Sequence, residues 1–198
     1  MPVTIDLPNQ AAAPVRYAYK ASLIGAAHRF ELTDEGLSWH VGGKSALWPY
    51  ADIAAIRLSY RPVWMRSHRF RADIEGTDHQ RMAILSTSWQ TASLMAPQDR
   101  DYRAFIEELH ARMNGAGSNA ALIGGIGSKT HAACVALVAL VGTAMAGLFA
   151  RAILTGEFPG ALFLAGFAAL FGRQIGGFVW RNRPRTYAFD DLPEALLP

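Results

Sequence analysis

The stretch that most limits what this chain can fold into is "AACVALVALVGTAMAGLFA", Ala132 to Ala150, nineteen residues without a charge. As a helix it is about 28 Å long, close to the hydrocarbon thickness of a bilayer. A short turn, "RAILTGE", leads into a second apolar run, "FPGALFLAGFAALFGRQIGGFVW", Phe158 to Trp180. Helices that are apolar all round need either a bilayer or a large protein body around them. The 113 residues that precede the spans and their connector are too few to wrap two such helices. The pattern therefore predicts a transmembrane helical hairpin over 132–180, with spans at 132–150 and 158–180.

Orientation follows from the basic flanks. Lys129 precedes the first span, and Arg181, Arg183 and Arg185 follow the second, whereas the turn between them carries Arg151. Both termini are thus expected in the cytosol. Residues 1–15 have no basic start and no long apolar run, which agrees with a cytosolic N-terminus. Arg173 lies inside the second span, about 10 Å below Trp180 at the helical rise. At that depth its stem reaches the interface, so snorkelling to lipid phosphates is the expected role. The competing role is a buried functional cation, which would make the chain a component of a membrane enzyme or transporter with a site between spans or with another chain. Gly142 with Ala146, and Gly172 with Gly176, form small-residue pairs at four-residue spacing, suited to packing the hairpin on itself or on another chain.

The region before the spans reads differently. "HRFELTDEGLSWHV" has two alternating runs around Asp34-Glu35-Gly36, which predicts a β-hairpin with Phe30 and Leu32, and then Leu37, Trp39 and Val41, on shared faces. In "LWPYADIAAIRLSYRP", Pro49 bends the chain, and Ile53, Ala55 and Arg57 alternate with Ala54, Ile56 and Leu58. A second hairpin turns near Gly76-Thr77-Asp78. From Pro97 the period changes: Tyr102, Phe105, Ile106, Leu109 and Met113 recur at helical steps, predicting an amphipathic helix of about four turns. Strands closed by one helix point to an α+β fold, a small bent antiparallel barrel or sandwich.

That order, together with "WPYADIAAIRL" and "YRAFIEELHARM", resembles bacterial pleckstrin-homology-like domains over residues 16–113. The resemblance implies a bent antiparallel sheet capped by a C-terminal helix and no shared catalytic residues. Joined to the hairpin, it resembles uncharacterised bacterial membrane proteins and implies the inner membrane as location. The expected organisation is a cytosolic domain at 1–113 able to fold alone, a flexible Gly/Ala/Ser-rich linker at 114–131, the hairpin at 132–180, and a basic, then Pro-containing, cytosolic tail at 181–198.

Chemical signatures are weak. The six histidines are scattered and Cys134 is the only cysteine, so no metal set, disulfide framework or cofactor site is expected. "NGAGSNAA" mimics a dinucleotide fingerprint, but a helix precedes it where a strand is needed; "GGIGSKT" breaks phosphate-loop spacing at Ser128. "STSW", Ser86 to Trp89, offers hydroxyls without a base and reads as a solvated strand end. A net charge of +3 does not indicate a nucleic-acid binder. The charge pattern that stands out is "RLSYRPVWMRSHRFR", with Arg57, Arg61, Arg66, Arg69 and Arg71, no acid, and Tyr60 and Trp64 interleaved. Next to a membrane such a segment is suited to anionic lipid or an acidic partner. The expectation is a non-enzymatic membrane protein whose cytosolic domain binds a protein partner, a second copy or an anionic lipid surface.

Overall fold

The computed structural model describes residues 15–64, 67–91 and 94–198, with side chains at 62–67 outside the description. Two sheets form most of the body. The first is a four-stranded meander, β1 (Val15–Tyr19), β2 (His28–Leu32), β3 (Leu37–Val41) and β4 (Lys44–Trp48). The predicted turn at Gly36 joins β2 to β3, where a side chain would collide with the Trp48 carbonyl oxygen. A 3-10 turn at Tyr50–Asp52, started by Pro49, swings the chain into the second sheet. There β5 (Ile53–Trp64) and β6 (Ser67–Gly76) form a long ribbon, and β7 (Arg81–Leu85) pairs with β6 after the predicted turn. A small ladder of β8 (Thr87–Trp89) and β9 (Met95–Pro97) leads into helix α1 (Asp99–Gly115).

The core lies between the sheets and under α1. Tyr102, Phe105, Ile106, Leu109 and Met113, the periodic positions of α1, are all buried. Phe105 meets Tyr17 at 5.6 Å and Phe30 at 6.4 Å between ring centroids, fixing α1 across β1 and β2. The β5–β6 register shifts at two places, between Ile53 and Ala55 and between Pro62 and Trp64, and the first changes which residues reach the core. Because of it, Ile53 and Ile56 both reach the core despite odd spacing. A bulge adds one residue and reverses the facing of every later residue in the strand.

The segments on either side of the apolar helices depart most from expectation. Within the stretch read as a flexible linker, Ala121–Gly124 forms β10, which pairs in parallel with β5 from Ala55 to Leu58. The segment read as a basic, then Pro-containing, tail is also folded. Arg185–Thr186 forms β11, antiparallel to β10, and a 3-10 turn at Glu194–Leu196 buries Leu196 and Leu197 in the domain core. The second sheet therefore has the order β11-β10-β5-β6-β7. Leu122 faces the core while Ile123 faces out, the two-residue strand period that four residues are too few to announce. The domain is thus assembled from two pieces of chain, and the helical hairpin is an insertion between adjacent strands.

That insertion consists of α2 (Ser128–Leu154) and α3 (Phe158–Arg181), both long and apolar enough to cross a membrane. Their large apolar side chains are unburied, with Leu140, Leu162 and Phe163 exposed at 68%, 76% and 72%. Each such side chain would gain about 1.5–3 kcal/mol in an apolar surrounding.

The returning tail is latched to α1. His110 is buried; its Nδ1–H donates to the Ile106 carbonyl at 2.7 Å, so Nε2 accepts from the Tyr187 hydroxyl at 3.0 Å. Burial lowers the His110 pKa, which favours the neutral ring in which Nδ1 donates and Nε2 accepts. Arg103 adds a second clasp, donating to Glu194 at 2.7 Å and to the Pro198 carbonyl at 3.0 Å.

Candidate functional site

Two features converge at one end of the second sheet: the base of the hairpin and the basic β5–β6 ribbon. At the base, β10 leads out and β11 leads back. Ile126 N–H donates to the Asn182 carbonyl at 3.2 Å, and Gly125 N–H donates to the Leu58 carbonyl at 2.8 Å. The legs cross so closely that a Cβ on Gly125 would stand 2.4 Å from the Arg183 carbonyl oxygen, and its φ of +83° independently requires glycine.

Asn182, the residue after α3, is fully buried and locks that helix to β5. Its Oδ1 accepts from Tyr60 N–H at 3.0 Å, and its Nδ2 donates to the Tyr60 carbonyl at 2.8 Å and the Phe178 carbonyl at 3.1 Å. This side chain completes a strand edge as a neighbouring strand would. Arg181 places its guanidinium 4.9 Å from the Tyr60 ring centroid. Tyr60 itself is buried on the core side, with Phe70 at 5.4 Å. The sequence grouped Tyr60 with the basic contact residues; the structure makes it a socket for the end of α3, because strand alternation turns it away from its arginine neighbours.

On the opposite face of the ribbon the register sets Arg57 across from Asp73, Ser59 across from Arg71, and Arg61 across from Arg69. Arg71 is held by Asp73, with Nε at 2.8 and 2.9 Å from the carboxylate oxygens, and this hydrogen bonding raises its pKa. Arg81 and Glu75 pair at 3.0 Å, and Arg81 holds the Glu75 carboxyl below its usual range. Arg57, Arg61 and Arg69 form no ion pair among the described residues. Arg69 is oriented by neutral partners, its Nε donating to Thr87 Oγ1 at 2.9 Å and Nη2 to Met95 Sδ at 3.0 Å. Desolvation first, then the neighbouring Arg61 charge, lowers its pKa. Between the two rungs Ser59 is 3% exposed and its hydroxyl lacks a hydrogen-bond partner. A groove of about 410 Å³ lies further along this face, lined by Arg57, Arg71, Asp73, Glu75, Arg81 and Ile123 among others.

The "STSW" hydroxyls turn out not to be solvated. Ser86, Thr87 and Ser88 are buried; Ser86 Oγ accepts from Phe70 N–H at 3.0 Å and Thr87 steers Arg69. Arg66 lies outside the described residues, as does the side chain of Trp64. Arg183 and Arg185 are exposed at the hairpin base, the Arg185 stem crossing Gly124. Arg173 is exposed on α3, eight residues before Arg181 and so about 12 Å along the axis. Gly142, Ala146 and Gly172 line an apolar groove of about 430 Å³ between the helices. A Cβ on Gly142, Gly172 or Gly176 would meet nothing within 4 Å, so close approach of α2 to α3 does not require these glycines.

Sequence reading missed Asn182, hidden between two arginines, and the His110–Tyr187 latch, whose members are 77 residues apart. Among the described residues no three His, Cys, Asp or Glu side chains gather where they would hold a metal ion. Compared with family models, curated proteins and solved structures, the chain matches none.

Proposed function

We propose that this chain is an integral membrane protein of the bacterial inner membrane in which α2 and α3 cross the bilayer and hold the α+β domain against its cytosolic face. The domain is a non-enzymatic binding module, a scaffold or accessory subunit, and its ligand is acidic. Antiparallel sheets followed by a capping helix support the pleckstrin-homology-like reading; β10 and β11 extend that plan to carry the hairpin. The observation that carries the proposal is the insertion itself. Two helices with unburied apolar surface leave and re-enter one sheet through neighbouring strands, so both flanks lie on one side. Lys129, Arg181, Arg183 and Arg185 cluster on that side, which by the basic-flank rule is cytosolic. Arg57, Arg61 and Arg69 of the β5–β6 ribbon, which form no ion pair among the described residues, favour an anionic ligand near the surface.

The test is labelling in intact cells with Cys134 replaced by alanine. A cysteine replacing Thr155 in the α2–α3 turn should react with an impermeant maleimide from outside. A cysteine replacing Ser45 on β4 should react only after permeabilisation, and the chain should stay in membranes washed with alkaline carbonate. Equal labelling of both positions in intact cells, or release by carbonate, would sink the proposal.

A further inference from the structure

We infer that Arg61 and Arg69, directly opposite each other on β5 and β6, form a clamp for the phosphate of an anionic phospholipid at the seam between domain and bilayer. The inference rests on the reading that α2 and α3 span the membrane. It goes beyond that reading in naming the ligand and the atoms that take it.

Position is the first ground. β10 runs parallel to β5 and stops opposite Leu58, and α2 begins at Ser128, four residues after its end. The chain therefore leaves for the hairpin off the end toward which β5 also points. β7 pairs with β6 no further than Arg71. Beyond those limits β5 and β6 continue as a two-stranded ribbon, and Arg61–Arg69 is a rung of it. The residue before Arg61 is Tyr60, whose backbone is bound by Asn182 immediately after α3. This rung thus stands level with the last turn of α3, where Trp180, 64% exposed, and Arg181 mark the place of an aqueous interface. That is headgroup depth.

Charge is the second ground. Two arginines directly opposite on one face repel, an arrangement strands disfavour unless an anion lies between or beside them. No carboxylate pairs with either among the described residues, although the next arginine along, Arg71, has Asp73. Arg69 is also held in place: Thr87 and Met95 fix its guanidinium while leaving its charge intact. A guanidinium offers parallel N–H donors to two phosphate oxygens, so this pair presents a forked donor set to one phosphate. A carboxylate-bearing protein segment would satisfy the charge equally, but the depth of the rung favours the ligand that the bilayer itself supplies.

The experiment uses the full chain in neutral detergent, titrated with short-chain phosphatidylglycerol or phosphatidylcholine and read by native mass spectrometry. The wild type should bind phosphatidylglycerol in preference to phosphatidylcholine. Arg61→Gln/Arg69→Gln should bind it about thirtyfold more weakly, the contribution of two cations near an anionic surface. Arg183→Gln/Arg185→Gln, which removes the same charge from the hairpin base, should change binding less than about threefold. Arg61 is exposed, so Arg61→Gln alone leaves packing intact and should weaken binding about fivefold. The proposal is overturned if the single and double variants at 61 and 69 bind as the wild type does, or if the 183/185 pair loses as much. Displacement by inorganic phosphate at millimolar concentration would reassign the site to free phosphate. Binding of a polyglutamate peptide that depends on Arg61 and Arg69, without lipid binding, would reassign it to an acidic protein. In each of these cases continued carbonate resistance of the chain keeps the membrane reading standing, so the two failures are separable.

Discussion

A chain ending at Met113 should fail to melt cooperatively, whereas a chain in which Gly127 is joined to Asn182 by a short Gly–Ser bridge should be soluble and melt in one transition. The shorter chain lacks Leu122, Leu196 and Leu197, all buried in the domain core, and the Tyr187 partner of His110. Burying three leucines is worth roughly 5–9 kcal/mol as an upper estimate. Typical domains are stable by about 5–15 kcal/mol, so this loss alone removes much of the margin. It also opens the β5 edge from Ala55 to Leu58, which β10 covers, to pairing with other chains. The bridged chain keeps both strands and discards the apolar helices. Its junction is short because Ile126 and Asn182 are already hydrogen-bonded at 3.2 Å. Size-exclusion chromatography and near-ultraviolet circular dichroism against temperature decide the matter. A cooperative, monomeric 1–113 fragment would show that the late segments only decorate a complete fold.

The second large effect is expected at Asn182. Asn182→Ala leaves the Tyr60 N–H and carbonyl buried without partners, at about 1–3 kcal/mol for each unsatisfied group. Allowing for relaxation, the full chain in detergent should lose about 2–4 kcal/mol, lowering its melting temperature by about 5–15 °C. Asn182→Asp should be no better, since it keeps the acceptor, loses the donor and buries a charge. Arg181→Gln removes one cation–π contact of an exposed side chain and should cost about 0.5–1 kcal/mol. A melting temperature for Asn182→Ala within about 2 °C of wild type would mean that the joint between α3 and β5 is not a structural lock.

What could be read in the sequence was local and periodic. The step pattern of α1 named each of its buried apolar residues, and the turns at Gly36 and Gly76 stood out because their flanking strands alternate cleanly. The two apolar helices were legible from length alone. The bulge after Ile53 was not, because an extra residue looks like any other in a short run. β10 escaped because four residues among glycines have no measurable period, and the glycines that suggested flexibility serve close crossing at Gly125. Leu196 and Leu197 follow a proline-containing stretch, and their burial depends on contacts with elements about a hundred residues earlier. Of the site, the arginines were visible as a charge run. Their division into Arg71 with its acid and Arg61–Arg69 without one depends on cross-strand register, which composition does not encode. Asn182 was invisible for a similar reason: its partner is the backbone of Tyr60, 122 residues away.

The claim that joins these observations is that one sheet closes across the base of a membrane hairpin. Ile123 on β10 and Thr186 on β11 are direct cross-strand partners, and Cα atoms in such pairs lie about 4.5–5.5 Å apart, within disulfide reach. The measurement is oxidation of the Ile123→Cys/Thr186→Cys chain, with Cys134→Ala, in carbonate-washed membranes, followed by protease cleavage in the α2–α3 turn. The account predicts that the two halves stay covalently joined until reductant is added, in nearly every chain that remains in the membrane. Separation of the halves without reductant, in membranes that retain the chain, would contradict it.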